Sequence, residues 1–119
     1  MIRIEVEGDA IPAARPRFSG RKCYQSARNR EYRERVQWAA RLAMKGAEPM
    51  TGELFANVAL YRKYKRAAKK FGDVDNHLKA LFDGLSGIVF EDDAQIVRCI
   101  VEKYQDRIRP RAEIEISQL

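Results

Sequence analysis

The chain has 119 residues, 45% of them hydrophobic, and a net charge of +6. That is one domain with enough apolar residues for a single core, which excludes wholesale disorder. No apolar run approaches the roughly 20 residues of a membrane span, and the two distant cysteines, Cys23 and Cys99, exclude a disulfide framework or a zinc knuckle.

Ile2, Ile4 and Val6 alternate with Arg3, Glu5 and Glu7, which predicts a strand over 2–7 with one buried face. The same charged alternation is unlike a secretory leader, so the cytoplasm is the expected compartment. Residues 8–28 carry Gly8, Pro12, Pro16 and Gly20 and read as a loop. Tyr32, Val36, Ala39, Ala40 and Ala43 then recur at helical spacing, predicting a helix over 29–45 that Gly46 and Pro49 end. Trp38 and Leu42 fall on its flank, as core residues or as a dimer contact. Leu54, Val58 and Leu60 share one side of a strand predicted over 53–61, and a basic connection follows from Arg62 to Lys70. Leu78, Leu81, Phe82 and Leu85 predict a second helix over 76–85. Residues 95–104 and 112–118 read as two further strands, joined by a short connection through Arg109 and Pro110 and expected to pair antiparallel. The order β-α-β-α-β-β implies an α+β fold, a small mixed four-stranded sheet with two helices, as a single domain over 1–119.

Charge is unevenly spread along this order. Residues 15–35 hold a local +6, residues 62–72 another +6, and residues 73–93 a local −5. An acidic block between basic ones is what a polyanion-binding surface with a cation site requires, although solvated faces of opposite sign give the same pattern.

The acidic block carries the chemistry. If 73–75 is extended, Asp73 and Asp75 point to one side, and Asp75 is a good N-cap for the helix after it. Asp75, Lys79 and Asp83 fall at i, i+4 and i+8 and form one helical stripe beside the apolar one. Glu91-Asp92-Asp93 forms a second acidic group that a loop can bring back over the helix. Carboxylates converging from separate segments are the hard oxygen ligands Mg²⁺ prefers, and such an ion can activate water and stabilise a phosphoryl transition state. Lys79 beside it would face a phosphate oxygen. The structural alternatives are that Asp75 only caps, that Lys79 only pairs along the helix, and that Glu91-Asp92-Asp93 is a solvated turn.

The run Asp73-x-Asp75-Asn76-x-x-Lys79-x-x-x-Asp83-x-Leu85, followed by Asp92-Asp93-x-x-Ile96, resembles the RusA family of Holliday junction resolvases. Gly8-x-x-Ile11-Pro12, Ala14-Arg15-Pro16-Arg17-Phe18, Tyr24 and Tyr32 resemble the N-terminal region of many members, so the resemblance covers nearly the whole chain. It implies a homodimeric, Mg²⁺-dependent bacterial or prophage-encoded endonuclease that nicks two strands of a four-way DNA junction symmetrically. It further implies that the catalytic and metal-binding aspartates are Asp73, Asp75 and Asp93, that Lys79 is the essential lysine, and that Asp92 is a supporting acid.

The only histidine, His77, lies off the Asp75–Lys79 stripe and reads as a helix-surface residue rather than a catalytic base. Cys99, within a strand, reads as core. Arg15, Arg17, Arg21 and Lys22 with Arg62, Lys63, Lys65, Arg66, Lys69 and Lys70 are the candidate phosphate contacts. Phe18 or Phe71 can stack on bases at the open centre of a junction, or serve the core. Two other functions fit the residues: a non-catalytic nucleic-acid-binding module, and a metal-dependent phosphatase or nuclease on another substrate.

Overall fold

β1 (Ile2–Glu7) follows its alternation, burying Ile4 and Val6 and exposing Arg3, Glu5 and Glu7. The computed structural model describes residues 1–14 and 27–119 in full, and residues 17–19 and 22–24 by their backbone alone. β2 (Arg17–Ser19) and β3 (Lys22–Tyr24) pair antiparallel, so the segment expected to be loop contains a small ribbon. Arg15 and Arg21, and the side chains of Arg17, Phe18, Lys22 and Cys23, lie outside the described residues, and so do the roles expected of them.

α1 (Ala27–Met44) buries Tyr32, Val36, Ala40 and Met44, one stripe at i, i+4, i+8 and i+12. Trp38 and Leu42 stay exposed, which removes them from the core. β4 (Leu54–Arg62), α2 (Val74–Leu85), β5 (Ile96–Gln105) and β6 (Arg111–Gln118) complete the expected β-α-β-α-β-β order of an α+β fold. On α2 the buried residues are His77, Leu81, Phe82, Gly84 and Leu85, with Leu78 only half-buried. At Gly84 the helices are in close contact: a Cβ there would meet Val36 Cγ1 at 2.6 Å.

The main sheet has four strands in the order β1-β6-β4-β5. β6 runs antiparallel to both its neighbours, and β4 and β5 are parallel, joined through α2. The antiparallel pair expected of the last two strands is therefore corrected, because β4 lies between them. Skipping one strand spans about 10 Å, which the short 106–110 connection covers easily. Asp106 fixes the crossing: its N–H donates to the Arg62 carbonyl at 2.8 Å, and its carboxylate accepts from the N–H groups of Ile108 and Arg109. The burial patterns explain the order. β6 buries Ala112, Ile114 and Ile116 completely and belongs in the middle of the sheet. β5 leaves Val97, Cys99 and Ile100 exposed and forms an edge, so Cys99 is not the core residue expected.

One apolar cluster joins the covered face of the sheet to both helices, including Leu54, Val58 and Leu60 of β4 and Leu81, Phe82 and Leu85 of α2. Each fully buried aliphatic or aromatic side chain contributes roughly 1.5–3 kcal/mol relative to exposure. This cluster anchors α2 and leaves its polar stripe outward, which sets the position of the acidic residues.

Candidate active site

Between β4 and α2 the basic connection ends in a 3-10 turn at Lys69–Phe71, then Gly72. Asp73, not Asp75, is the N-cap, with φ −75° and ψ 144°, and α2 begins at Val74 rather than at 76. Asp75 therefore lies in the first helical turn instead of in an extended pair with Asp73. The Asp73 side chain makes no capping hydrogen bond, and both carboxylates are exposed. Lys79 Nζ stands 3.7 Å from Asp83 Oδ2, one turn along the same stripe. Asp75 and Asp83 are then about 12 Å apart along the helix axis, with Lys79 midway.

The second acidic group is an ordered turn. Asp92 caps a 3-10 turn at Asp93–Gln95, its Oδ1 accepting from the Ala94 N–H at 2.9 Å. Gln95 closes a capping box by accepting from the N–H groups of Glu91 and Asp92 at 3.0 and 3.2 Å. Its Nε2 donates to the carbonyls of Met50 and Gly52 at 3.0 and 3.2 Å, tying the turn to the segment before β4. Asp93 is held above the usual carboxylate range: partial desolvation comes first, then the hydrogen bond and charge of Asp92 and the charge of Asp83, with Lys79 opposing. So the fold brings Asp93 into electrostatic reach of Asp92, Asp83 and Lys79, while Asp73 and Asp75 sit at the other end of that stripe.

The donors available are carboxylate oxygens, which suits Mg²⁺ and not a thiolate- or imidazole-seeking metal. Among the described residues no three His, Cys, Asp or Glu side chains are grouped closely enough to hold an ion between them. Mg²⁺ keeps several waters and commonly takes one or two carboxylates, so the donor chemistry fits without a ready-made cage.

Two expectations change here, and the choice left open for Phe71 is decided. His77 is not on the surface: it is 1% exposed, its Nε2 is 2.6 Å from the Phe71 carbonyl, and burial holds its pKa below the ordinary histidine value. Arg62 is not a phosphate contact: it is 4% exposed and bound to Asp9 and to two backbone carbonyls. Phe71 is fully buried, so it does not stack on bases.

The family model described as "Endodeoxyribonuclease RusA" matches residues 7–117. The chain belongs to the RusA endodeoxyribonuclease family. A Bacillus subtilis (strain 168) protein described as the uncharacterized protein YqaN is 27% identical over 138 aligned residues, covering 99% of this chain and 96% of that protein. The acidic segment and the Asp92–Gln95 turn both fall inside the RusA match.

In this RusA family member the remaining basic candidates on the 62–70 run, Lys63, Lys65, Arg66, Lys69 and Lys70, are exposed. Arg66 pairs with Glu102 at 3.3 Å and lies over the Tyr104 ring, which stacks on Tyr61 at 4.9 Å. Sequence reasoning missed Gln95 and Asp9. Asp92-x-x-Gln95 is a legible capping-box pattern. Asp9 has no local signal, because its partner is 53 residues away.

Proposed function

We propose that this chain is an Mg²⁺-dependent, structure-specific endodeoxyribonuclease that resolves four-way DNA junctions by paired symmetric nicks, as a homodimer, in recombination and repair. The observation that carries this reading is the RusA family match across an exposed row of carboxylates and lysine on α2 that Asp93 approaches from a tied-down turn. Asp73, Asp75 and Asp93 are the carboxylates proposed as Mg²⁺ ligands, one or two of them to an ion with water completing its shell, since Asp93 lies by Asp83 and Lys79 and the other two at the far end of the stripe. When bound, Mg²⁺ supplies water activation and charge neutralisation at the scissile phosphate. Lys79, beside Asp83, presents a fixed positive charge to a phosphate oxygen. His77 takes no proton in this scheme, because its ring is buried, at 1% exposure. The exposed lysines and Arg66 of the 62–70 run hold the phosphate backbone, and the N-terminal arginines Arg15 and Arg17 are proposed to extend that track.

The test is cleavage with Mg²⁺ on a four-way junction, a flap, a duplex and a single strand. Paired, symmetric nicks on the junction alone are expected. Equal cutting of all four substrates makes the chain a nuclease of another specificity, and tight binding without any cutting makes it a binding module.

A further inference from the structure

Under the acidic segment lies a polar knot of buried Arg62 and His77 with half-buried Asp9. Arg62 reaches Asp9 with two bonds, Nε to Oδ1 at 2.8 Å and Nη2 to Oδ2 at 2.9 Å. Its Nη1 donates to the Phe71 carbonyl at 2.5 Å and to the Lys70 carbonyl at 3.2 Å. His77 Nε2 lies 2.6 Å from that same Phe71 carbonyl, and a carbonyl only accepts, so Nε2 carries the proton. One backbone oxygen thus takes donors from β4 and from α2.

That oxygen immediately precedes Gly72, whose φ is +96°. A Cβ at Gly72 would lie 2.8 Å from His77 Nε2 and 2.9 Å from Pro12 Cγ. Pro12 is itself held, since Asn29 Nδ2 donates to its carbonyl at 3.1 Å and the next N–H, of Ala13, donates to the Asn76 carbonyl at 2.9 Å. The path from Phe71 to Asp73 is therefore fixed from β4, from α2 and from the 9–13 segment together. An ion pair with a buried arginine and a part-exposed carboxylate is a weak source of net stability. Here its bonds end on the turn that launches Asp73 and Asp75.

We infer that Asp9, Arg62 and His77 are positioning residues, which hold the Phe71 carbonyl and so set the direction in which Gly72 delivers Asp73 and Asp75. The inference rests on the nuclease reading of those carboxylates. Arg62 and His77 are buried, and the Asp9 carboxylate is taken up by Arg62. They act through the backbone, as groups behind metal ligands do when their loss lowers affinity or activity by roughly 10–100-fold.

The test uses the full chain and three substitutions. His77→Phe keeps a buried ring and removes the donor. His77→Gln places an amide N–H at comparable reach. Asp9→Asn removes the charge that pairs with Arg62. Circular dichroism establishes the fold of each, Mn²⁺ binding without DNA is read by electron paramagnetic resonance, and junction cleavage is followed across Mg²⁺ concentration. His77→Phe and Asp9→Asn should weaken Mn²⁺ binding about tenfold and raise the half-maximal Mg²⁺ concentration by a similar factor. Junction binding without metal should stay within about twofold, and His77→Gln should recover most of the loss. A folded His77→Phe protein with unchanged Mn²⁺ binding and Mg²⁺ half-saturation overturns the inference, and so does His77→Gln behaving like His77→Phe. If His77→Phe does not fold, Asp9→Asn decides by the same two readouts. A wild-type chain that binds Mn²⁺ but cuts no DNA sinks the nuclease reading alone, and the Mn²⁺ arm still judges the positioning. A wild-type chain that binds no Mn²⁺ overturns both.

Discussion

At Asp75 two roles overlap, and one substitution separates them. A carboxylate in the first turn of α2 favours the helix by about 0.3–1 kcal/mol through the helix dipole. The same exposed carboxylate is a candidate metal ligand. Asp75→Asn keeps the size and removes the charge, so the helix survives and junction cleavage should fall at least ~100-fold, while metal-free junction binding persists or tightens. Lys79→Ala should likewise abolish most cleavage, here through lost phosphate stabilisation. Near-normal nicking by folded Asp75→Asn protein would strike that residue from the site. Acid sensitivity is a second residue-scale outcome. Arg62's hydrogen bond, ahead of opposing desolvation, holds the Asp9 carboxyl below its ordinary value. A carboxyl depressed in the folded state stabilises fully above about pH 4, and that contribution is lost as pH falls through the lower folded value. His77, kept neutral by burial, loses stabilising effect as pH falls below about 6.5, because the unfolded chain takes up the proton first. Acid unfolding followed by circular dichroism should therefore begin earlier in wild type than in His77→Gln, and Asp9→Asn should flatten its lower part. The stripe Asp75–Lys79–Asp83 was legible from spacing alone. The burial of Arg62 and His77 was not, since an arginine in a basic run looks like its neighbours until Asp9 and the Phe71 carbonyl are placed beside it.

The pairing of elements shows where periodicity stops informing. Alternation located β1, β4 and β6 and helical spacing both helices, because each buries one face on a common core, whereas β5 buries no residue and shows no such alternation. Alternation carries no statement of which strand neighbours which. A short connection favoured pairing β5 with β6, and the more complete burial of β6 placed β4 between them instead. Helix boundaries moved for a similar reason: Asp73 and Asp75 are equally good caps in sequence, and the turn at Phe71 and Gly72 selects the first. Contacts between elements supply the predictions at this scale. Gly84→Ala inserts a methyl only 2.6 Å from Val36 Cγ1, and buried overpacking of this kind costs about 1–3 kcal/mol. Thermal unfolding should show a drop of several degrees, and an unchanged melting temperature would mean that α1 and α2 separate readily there. Gln95→Ala removes the bonds to Met50 and Gly52 as well as the capping box. It should cost about 1 kcal/mol in stability and lower cleavage more than junction binding.

Across the whole molecule the charge pattern predicts a salt response and a symmetry. With Arg62 buried, Lys63, Lys65, Arg66, Lys69 and Lys70 remain as the exposed basic set of their run. If these neutralise about five phosphates, junction affinity should fall several hundredfold between about 50 and about 200 mM salt. Reversing the charge of Lys65, Arg66 and Lys69 together should weaken binding to every DNA shape, and a flat salt response would mean that the run is merely solvated. The proposed symmetric resolution adds a demand that one copy does not meet. The described residues present one acidic constellation, whereas paired nicks need two equivalent sites, which a two-fold dimer supplies. Apolar surface remains for a second copy to cover. Trp38 and Leu42 on α1 are 65% and 61% exposed, beside the edge strand β1, and Val97 and Ile100 on the opposite edge strand β5 are 54% and 48% exposed. Sedimentation at micromolar concentration should therefore give the mass of two chains. Introducing Trp38→Glu with Leu42→Glu, or Val97→Glu with Ile100→Glu, should convert one of these two variants to monomers whose nicks are no longer paired. A wild-type monomer that still resolves junctions with paired nicks would defeat the dimer and leave each strand to be cut in a separate encounter.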